Sequence, residues 1–330
     1  MVTGVTDYQP PFYIPHVLRA RTRQFYLTYN GCNFRCITLE PPQDVKYKGR
    51  CLFVHGYRES SELHLRMMDA LALHGYACFI FDQRRNGLSR PRGFLDYTND
   101  YYTFRDLEFF VSYNLAIESD NLCLVGHSMG GAIVLNYMMN GASRHRIRTV
   151  VTSSPLLLHR DNNSLWKFLL LLVLSYVPLL NLLTLQKTDV DVVRKQQVLQ
   201  KALEEEEFRK LATRNRLTND MKWLKAVNEV RLISKPGTIE EVIHILRRGI
   251  YLLDNCDRAR ERYAELKRCK FLVCQTYDDP LADTRGVHSF VKAIPEIRIR
   301  WYDNCKHALF IERNRVFERV LSDILQTLNE

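Results

Sequence analysis

The chain has 330 residues, 46% of them apolar and 25% charged. This composition excludes a disordered or fibrous chain, and the length implies one large domain carrying an insertion, or two domains. A formal net charge of +10 favours anionic partners. The chain has no helix-turn-helix, zinc-finger or aromatic RNA-binding signature, so a membrane surface is the better candidate and nucleic acid is not expected. Nine cysteines with no C-x-x-C pair read as small buried hydrophobes in a reducing, cytoplasmic compartment, above all Cys51, Cys78, Cys123 and Cys274 within apolar runs. Cys32 and Cys36 have no second pair to complete a zinc site, so no metal is expected. Residues 1–15 are polar and proline-containing and lack the apolar core of a secretory signal.

In chain order, short apolar runs rich in branched residues predict strands at 51–54, 77–81, 122–125, 149–152, 271–274 and 297–301. Helical spacing fills the gaps at about 59–74 and 102–115, after residue 128, and from 308 to 328. Strands apolar on both faces that alternate with helices predict an α/β fold, with a mostly parallel sheet covered on both sides. The alternation stops after Ser153-Ser154-Pro155 and resumes at Phe271, with a wholly helical pattern between. The expected organisation is therefore a core of residues 1–153 and 264–330 interrupted by a helical cap at 154–263. Within that cap, the run from Leu165 to Leu185 approaches the length of a membrane span. Pro178, Ser175 and Asn181 interrupt it, and a span would put the two halves of one sheet on opposite sides of a bilayer. It reads instead as a buried cap helix, or as a lid whose outer face lies on lipid, with Lys167 and Lys187 near headgroups.

The most informative segment is Gly126-His127-Ser128-Met129-Gly130-Gly131. An apolar run precedes it and a helical run follows, which gives strand, sharp turn and helix with a serine at the turn. Only small residues fit two positions before and after such a serine, hence Gly126 and Gly130. A serine held clear of the sheet, with a helix N-terminus behind it, is built to attack an acyl group. It needs a base and an acid to orient that base. The chain order for this architecture is serine, acid, histidine. His307 follows the last strand and precedes the last helix. Beyond the strand at 271–274 two carboxylates compete, Asp278 and Asp279; the turn-forming Asp279-Pro280-Leu281 favours Asp279. Asp283 reads as the N-cap of a following helix. For the oxyanion, the N–H of Met129 and the N–H of Tyr57, after His55-Gly56, are the candidate donors.

With these residues placed, the chain resembles the α/β-hydrolase superfamily, most closely the branch of monoacylglycerol lipases and bacterial lysophospholipases. The segment 126–131 matches that branch's G-H-S-M-G-G, Phe53-Val54-His55-Gly56 resembles its oxyanion strand and loop, and residues 81–89 resemble its D-x-R-G-x-G-x-S turn. Asp279-Pro280-Leu281 resembles its acid loop, and Lys306-His307-Ala308-Leu309 with Glu312 resembles its histidine segment. Arg85 stands where the branch has glycine, and Gln275-Thr276-Tyr277 replaces its glycine-containing approach to the acid. Asp82 and Arg84 read as structural ties. The resemblance implies a serine esterase that uses no cofactor. An apolar lid and a basic surface point to a monoacyl lipid ester, a lysophospholipid or a monoacylglycerol, as substrate. A general carboxylesterase or peptidase of the same fold, and a non-catalytic membrane-associated binding module, are the alternatives.

Overall fold

The computed structural model describes residues 2–92, 98–118, 121–160, 215–235 and 237–330. Ten strands form one sheet: β1 (Val2–Asp7), β2 (Arg21–Tyr29), β3 (Cys32–Glu40), β4 (Gly49–Val54), β5 (Tyr76–Phe81), β6 (Arg90–Pro91), β7 (Leu122–His127), β8 (Ile147–Ser153), β9 (Lys270–Thr276) and β10 (Ile297–Tyr302). Their order is β1-β2-β3-β5-β4-β7-β8-β9-β10, with the short β6 beside β3. From β5 to β10 every pairing is parallel; β1, β2 and β3 add an antiparallel edge.

All six strands expected from the sequence form, each a residue or more longer than its apolar run. The antiparallel edge was not anticipated. Within β2 only Phe25 and Leu27 are buried among polar and partly exposed residues, β1 is exposed throughout, and β3 is buried along most of its length but carries Asn33 and Arg35 among its apolar residues. The signal for it is Asn30-Gly31, both at positive φ (43° and 69°), the dipeptide that closes a two-residue hairpin.

Among the described residues the helices are α1 (Leu65–Leu73), α2 (Asp100–Leu115), α3 (Met129–Asn140), α4 (Met221–Ile233), α5 (Ile239–Asp254), α6 (Cys256–Ala264), α7 (Thr284–Ala293) and α8 (Asn314–Asn329). The central strands bury both faces, so apolar clusters form on both sides of the sheet. Leu52, Leu124, Val150 and Phe271 pack with α2, α3, α6 and α7 on one side. Phe53, Val125, Val151 and Leu272 pack with α1 and α8 on the other. Helix α6 belongs to the first layer: Tyr263 stacks on Phe271 with ring centroids 4.6 Å apart and donates its hydroxyl to the Leu135 carbonyl at 2.7 Å. All nine cysteines are free; Cys51, Cys78, Cys123 and Cys274 are buried in the strands, as their apolar contexts predict. Among the described residues no cluster of side chains could hold a metal ion, and no helix is long and apolar enough to cross a membrane. The run from Leu165 to Leu185 lies outside the described residues.

Candidate active site

Strand β7 ends at His127 and α3 begins at Met129, so the chain reverses within one residue, Ser128. That reversal forces Ser128 to φ 53°, ψ −118°, a conformation that a residue with a side chain adopts only when its surroundings impose it. The surroundings are specific. The Ser128 N–H donates to the Ser153 carbonyl at 2.9 Å, and its own carbonyl accepts from the Leu156 N–H at 3.0 Å. A Cβ at Gly126 would stand 2.5 Å from the Gly130 carbonyl oxygen, and one at Gly130 would stand 2.1 Å from that of Val54. Both glycines are therefore required by close backbone approach, and the second brings the helix N-terminus against the end of β4.

Two distant loops meet at this serine. His307 Nε2 lies 2.7 Å from Ser128 Oγ, and His307 Nδ1 lies 2.8 and 2.9 Å from the two carboxylate oxygens of Asp279. A carboxylate only accepts, so Nδ1 carries the proton and Nε2 is left to accept from the serine hydroxyl. Asp279 is 1% exposed. Burial alone would raise its pKa. The charge and hydrogen bond of His307, with the Leu281 and Ala282 N–H groups at 2.9 Å each, outweigh burial and hold it below the ordinary value. Gln275, in the segment that departs from the family pattern, donates to the other carboxylate oxygen at 3.1 Å. Asp278 faces solvent, 86% exposed, and pairs with Arg160 at 2.5 Å. Asp283 caps α7 by accepting from the Arg285 N–H.

The residues expected to supply the oxyanion donors are Met129 and Tyr57. Met129 opens α3, and Tyr57 follows Gly56 at the end of β4 and lines the same cleft as Ser128. His55 is neutral by its contacts: its Nε2 accepts from the Gln83 N–H at 2.8 Å, so Nδ1 donates to the Gly56 carbonyl at 2.8 Å, and burial lowers its pKa. Asp82 and Arg84 are ties, as read from the sequence. Asp82 accepts from the Ser61 and Leu88 N–H groups at 2.8 Å each, and Arg84 holds Asp106 through two bonds of 2.9 Å. Arg85 takes φ 70°, so it holds the left-handed conformation that glycine would otherwise supply, and its Nε reaches Glu241 at 2.8 Å.

Sequence reasoning overlooked Glu59. It accepts from the Gly56 N–H at 2.7 Å and from His64 Nε2 at 3.0 Å, and lies 3.3 Å from Nε2 of His127, the residue before the serine. His127 Nδ1 donates to the Ser153 carbonyl at 3.0 Å. Burial disfavours charge on both partners. Attraction between them wins: the Glu59 carboxyl is held well below its usual range and the His127 imidazole above its own. One carboxylate thus joins the oxyanion loop to the serine turn. A buried glutamate three residues after His55-Gly56 is the signal that could have found it.

Residues 159–160 and 217–219 grip the acid and histidine loops. Arg160 donates to the Asp279 carbonyl at 2.7 Å, and the His159 backbone pairs with that of Ala282. The Asn219 and Lys306 N–H groups share Glu312 Oε1 at 2.9 and 2.8 Å, and Ala308 donates to the Leu217 carbonyl at 2.8 Å. Above Ser128 and His307 lies a cleft of about 930 Å³, counting its open mouth, whose apolar lining includes Leu156, Val227, Val242, Ile245, Leu246 and Leu281.

Residues 45–314 match the protein family described as serine aminopeptidase, S33. The chain is 28% identical over 295 residues to the monoglyceride lipase of Saccharomyces cerevisiae, covering 86% of this chain and 85% of the relative. Its backbone is similar to the crystal structure of a soluble variant of that lipase with a substrate analog, at TM-score 0.74 and 24% identity over 98% of both chains. It is also similar to monoacylglycerol lipase from Paleococcus ferrophilus, at TM-score 0.65 and 19% identity over 89% of this chain and 98% of the other. With most of its length matched by one family model, the chain belongs to the serine aminopeptidase S33 family of α/β-hydrolases.

Proposed function

We propose that the protein is a serine hydrolase that cleaves the carboxylic ester of a monoacyl lipid, with Ser128 as nucleophile, His307 as general base and acid, and Asp279 as its orienting carboxylate. The observation that carries this reading is the unbroken chain Asp279–His307–Ser128, with bonds of 2.8 and 2.7 Å, at the floor of an apolar cleft. His307 takes the hydroxyl proton as Ser128 Oγ attacks the acyl carbon. The charge that develops on the carbonyl oxygen is held by the N–H groups of Met129 and Tyr57. His307 returns the proton to the departing alcohol, and water activated by the same imidazole releases the fatty acid. Asp279, kept ionised by its donors, stabilises the imidazolium at each stage.

The apolar cleft supports an acyl chain, each buried methylene of which gains about 0.8 kcal/mol. The yeast relative named as a monoglyceride lipase supports the same class. An aminopeptidase has to hold a substrate ammonium. The carboxylate that lines this cleft, Glu59, is turned to Gly56, His64 and His127, and the cleft also carries Arg58 and Arg231, which repel a cation. Residues 154–263 act as a lid in this reading, supported by the cleft-lining side chains of α4 and α5 and by the grip of residues 159–160 and 217–219 on the catalytic loops. The basic surface supports peripheral contact with an anionic membrane.

A panel of monoolein, lysophosphatidylcholine, short nitrophenyl esters and aminoacyl amides, run with and without anionic vesicles, tests the reading. Cleavage of the long-chain lipids above the short esters is expected, and cleavage of short esters or amides alone would remove the lipid assignment.

A further inference from the structure

Two cationic side chains in the cleft have no part in the chemistry just described. Arg58 directly follows the oxyanion residue Tyr57 and lines the cleft that holds Ser128 and His307. Its backbone sits at φ 53°, where glycine is favoured and any other residue carries strain. Its guanidinium donates to the Arg231 carbonyl at 3.2 Å, which fixes the end of α4 at the cleft. Arg231 lines the same cleft, and its guanidinium makes no hydrogen bond or ion pair among the described residues. It reaches solvent, yet it is crowded enough for desolvation to lower its pKa. Repulsion from Arg58 adds to that effect, and Glu59 only partly offsets it. Two guanidiniums close enough to repel, one of them with no counterion among the described residues, make a place that an anion stabilises.

The position of the pair says which part of a substrate it meets. The acyl chain needs the apolar lining, so the guanidiniums face the alcohol half of the ester. Tyr57 and Arg58 also border a second cavity, on the Met129 side, lined by Arg58, Arg84, Arg85, Lys235 and Arg248 against Asp106 and Glu241. A phosphate monoester suits paired guanidiniums: it is dianionic near neutral pH and has three oxygens for their planar forks.

Resting on the hydrolase reading above, we infer that Arg58 and Arg231 form a headgroup subsite for a phosphate monoester, so that the preferred substrates are monoacyl glycerol phosphates rather than neutral monoacylglycerols. The reaction is unchanged: the acyl C–O bond breaks, water supplies hydroxide to the acyl carbon and a proton to the glycerol oxygen, and the phosphate ester stays intact.

The test compares kcat/KM for octanoyl glycerol phosphate and octanoyl glycerol, both below their critical micelle concentrations so that no charged interface forms. Wild type, Arg231→Gln, Arg231→Lys and Arg58→Gly are measured; the last relieves the left-handed strain and so threatens folding least. The expected result is that wild type favours the phosphate substrate. Arg231→Gln and Arg58→Gly each lower the phosphate-to-neutral ratio by roughly tenfold or more, and Arg231→Lys keeps most of it. Selectivity that survives both substitutions, or a wild type that prefers the neutral substrate, overturns the subsite and leaves the hydrolase reading standing. Failure to cleave either substrate overturns the hydrolase reading itself, and the subsite with it.

Discussion

Replacing Glu59 separates two roles that the structure combines in one carboxylate. In Glu59→Ala two buried donors lose their acceptor, the Gly56 N–H and His64 Nε2, and the buried His127 imidazole loses its ion-pair partner. An orphaned buried donor costs roughly 1–3 kcal/mol, and more when charged, so the loss is at least about 3–5 kcal/mol. Glu59→Gln is milder. The amide oxygen keeps Gly56 and His64, and the amide NH2 turns to His127. Because His127 Nδ1 already donates to Ser153, its neutral form presents a bare Nε2 that accepts from that NH2. The ion pair is lost and no donor is orphaned, so the cost is about 1–2 kcal/mol. The pH dependence follows in sign. Glu59 has a folded pKa below its ordinary 4.5, so its contribution is present above pH 4.5 and is lost as pH falls through the folded value. His127 has a folded pKa above its ordinary 6.5, so its contribution is complete below pH 6.5 and is lost as pH rises through the folded value. Urea unfolding at several pH values between 3 and 9 checks both limbs. Glu59→Gln should flatten the alkaline limb and soften the acid limb, leaving the acid dependence of Asp279. Equal destabilisation by Ala and Gln, or a Gln profile parallel to wild type, would refute the reasoning.

Three other outcomes follow from the geometry. Asp279→Asn loses the acceptor that fixes the His307 tautomer, so kcat on a nitrophenyl ester should fall by roughly 10⁴ with KM little changed, whereas Asp278→Asn at its solvent-exposed pair should alter neither. Gly130→Ala places a Cβ 2.1 Å from the Val54 carbonyl oxygen, which pushes the end of β4 away from α3; steady-state kinetics should show kcat falling more than KM rises, alongside a stability loss of about 1–3 kcal/mol. Glu312→Ala leaves the Lys306 and Asn219 N–H groups without their acceptor, and proteolysis should become faster at the His307 segment before the rest of the chain.

The parallel half of the fold was legible because its strands are buried on both faces and therefore read as unbroken apolar runs, as at Cys51-Leu52-Phe53-Val54. The antiparallel edge was not, because half-buried strands such as β2 mix Arg21, Arg23 and Gln24 with Phe25 and Leu27, and apolar content alone misses them. Ser128, Asp279 and His307 could be placed from local turn chemistry and chain order, and the structure brings them together. Turn chemistry also singled out Asp279 over its neighbour: the N–H groups of residues 281 and 282 converge on Asp279, while Asp278 is left to solvent. Glu59, His127 and Arg231 were not legible as a group. Their proximity depends on how β4, β7 and α4 pack, and no local spacing encodes it.

Intact-mass measurement during turnover of a slowly deacylating long-chain ester addresses the central claim most directly. A mass increase equal to one acyl group, mapped to the Ser128 peptide and absent in Ser128→Ala, is the predicted result. Turnover that persists in Ser128→Ala, or an acyl group mapped to any other residue, would contradict it.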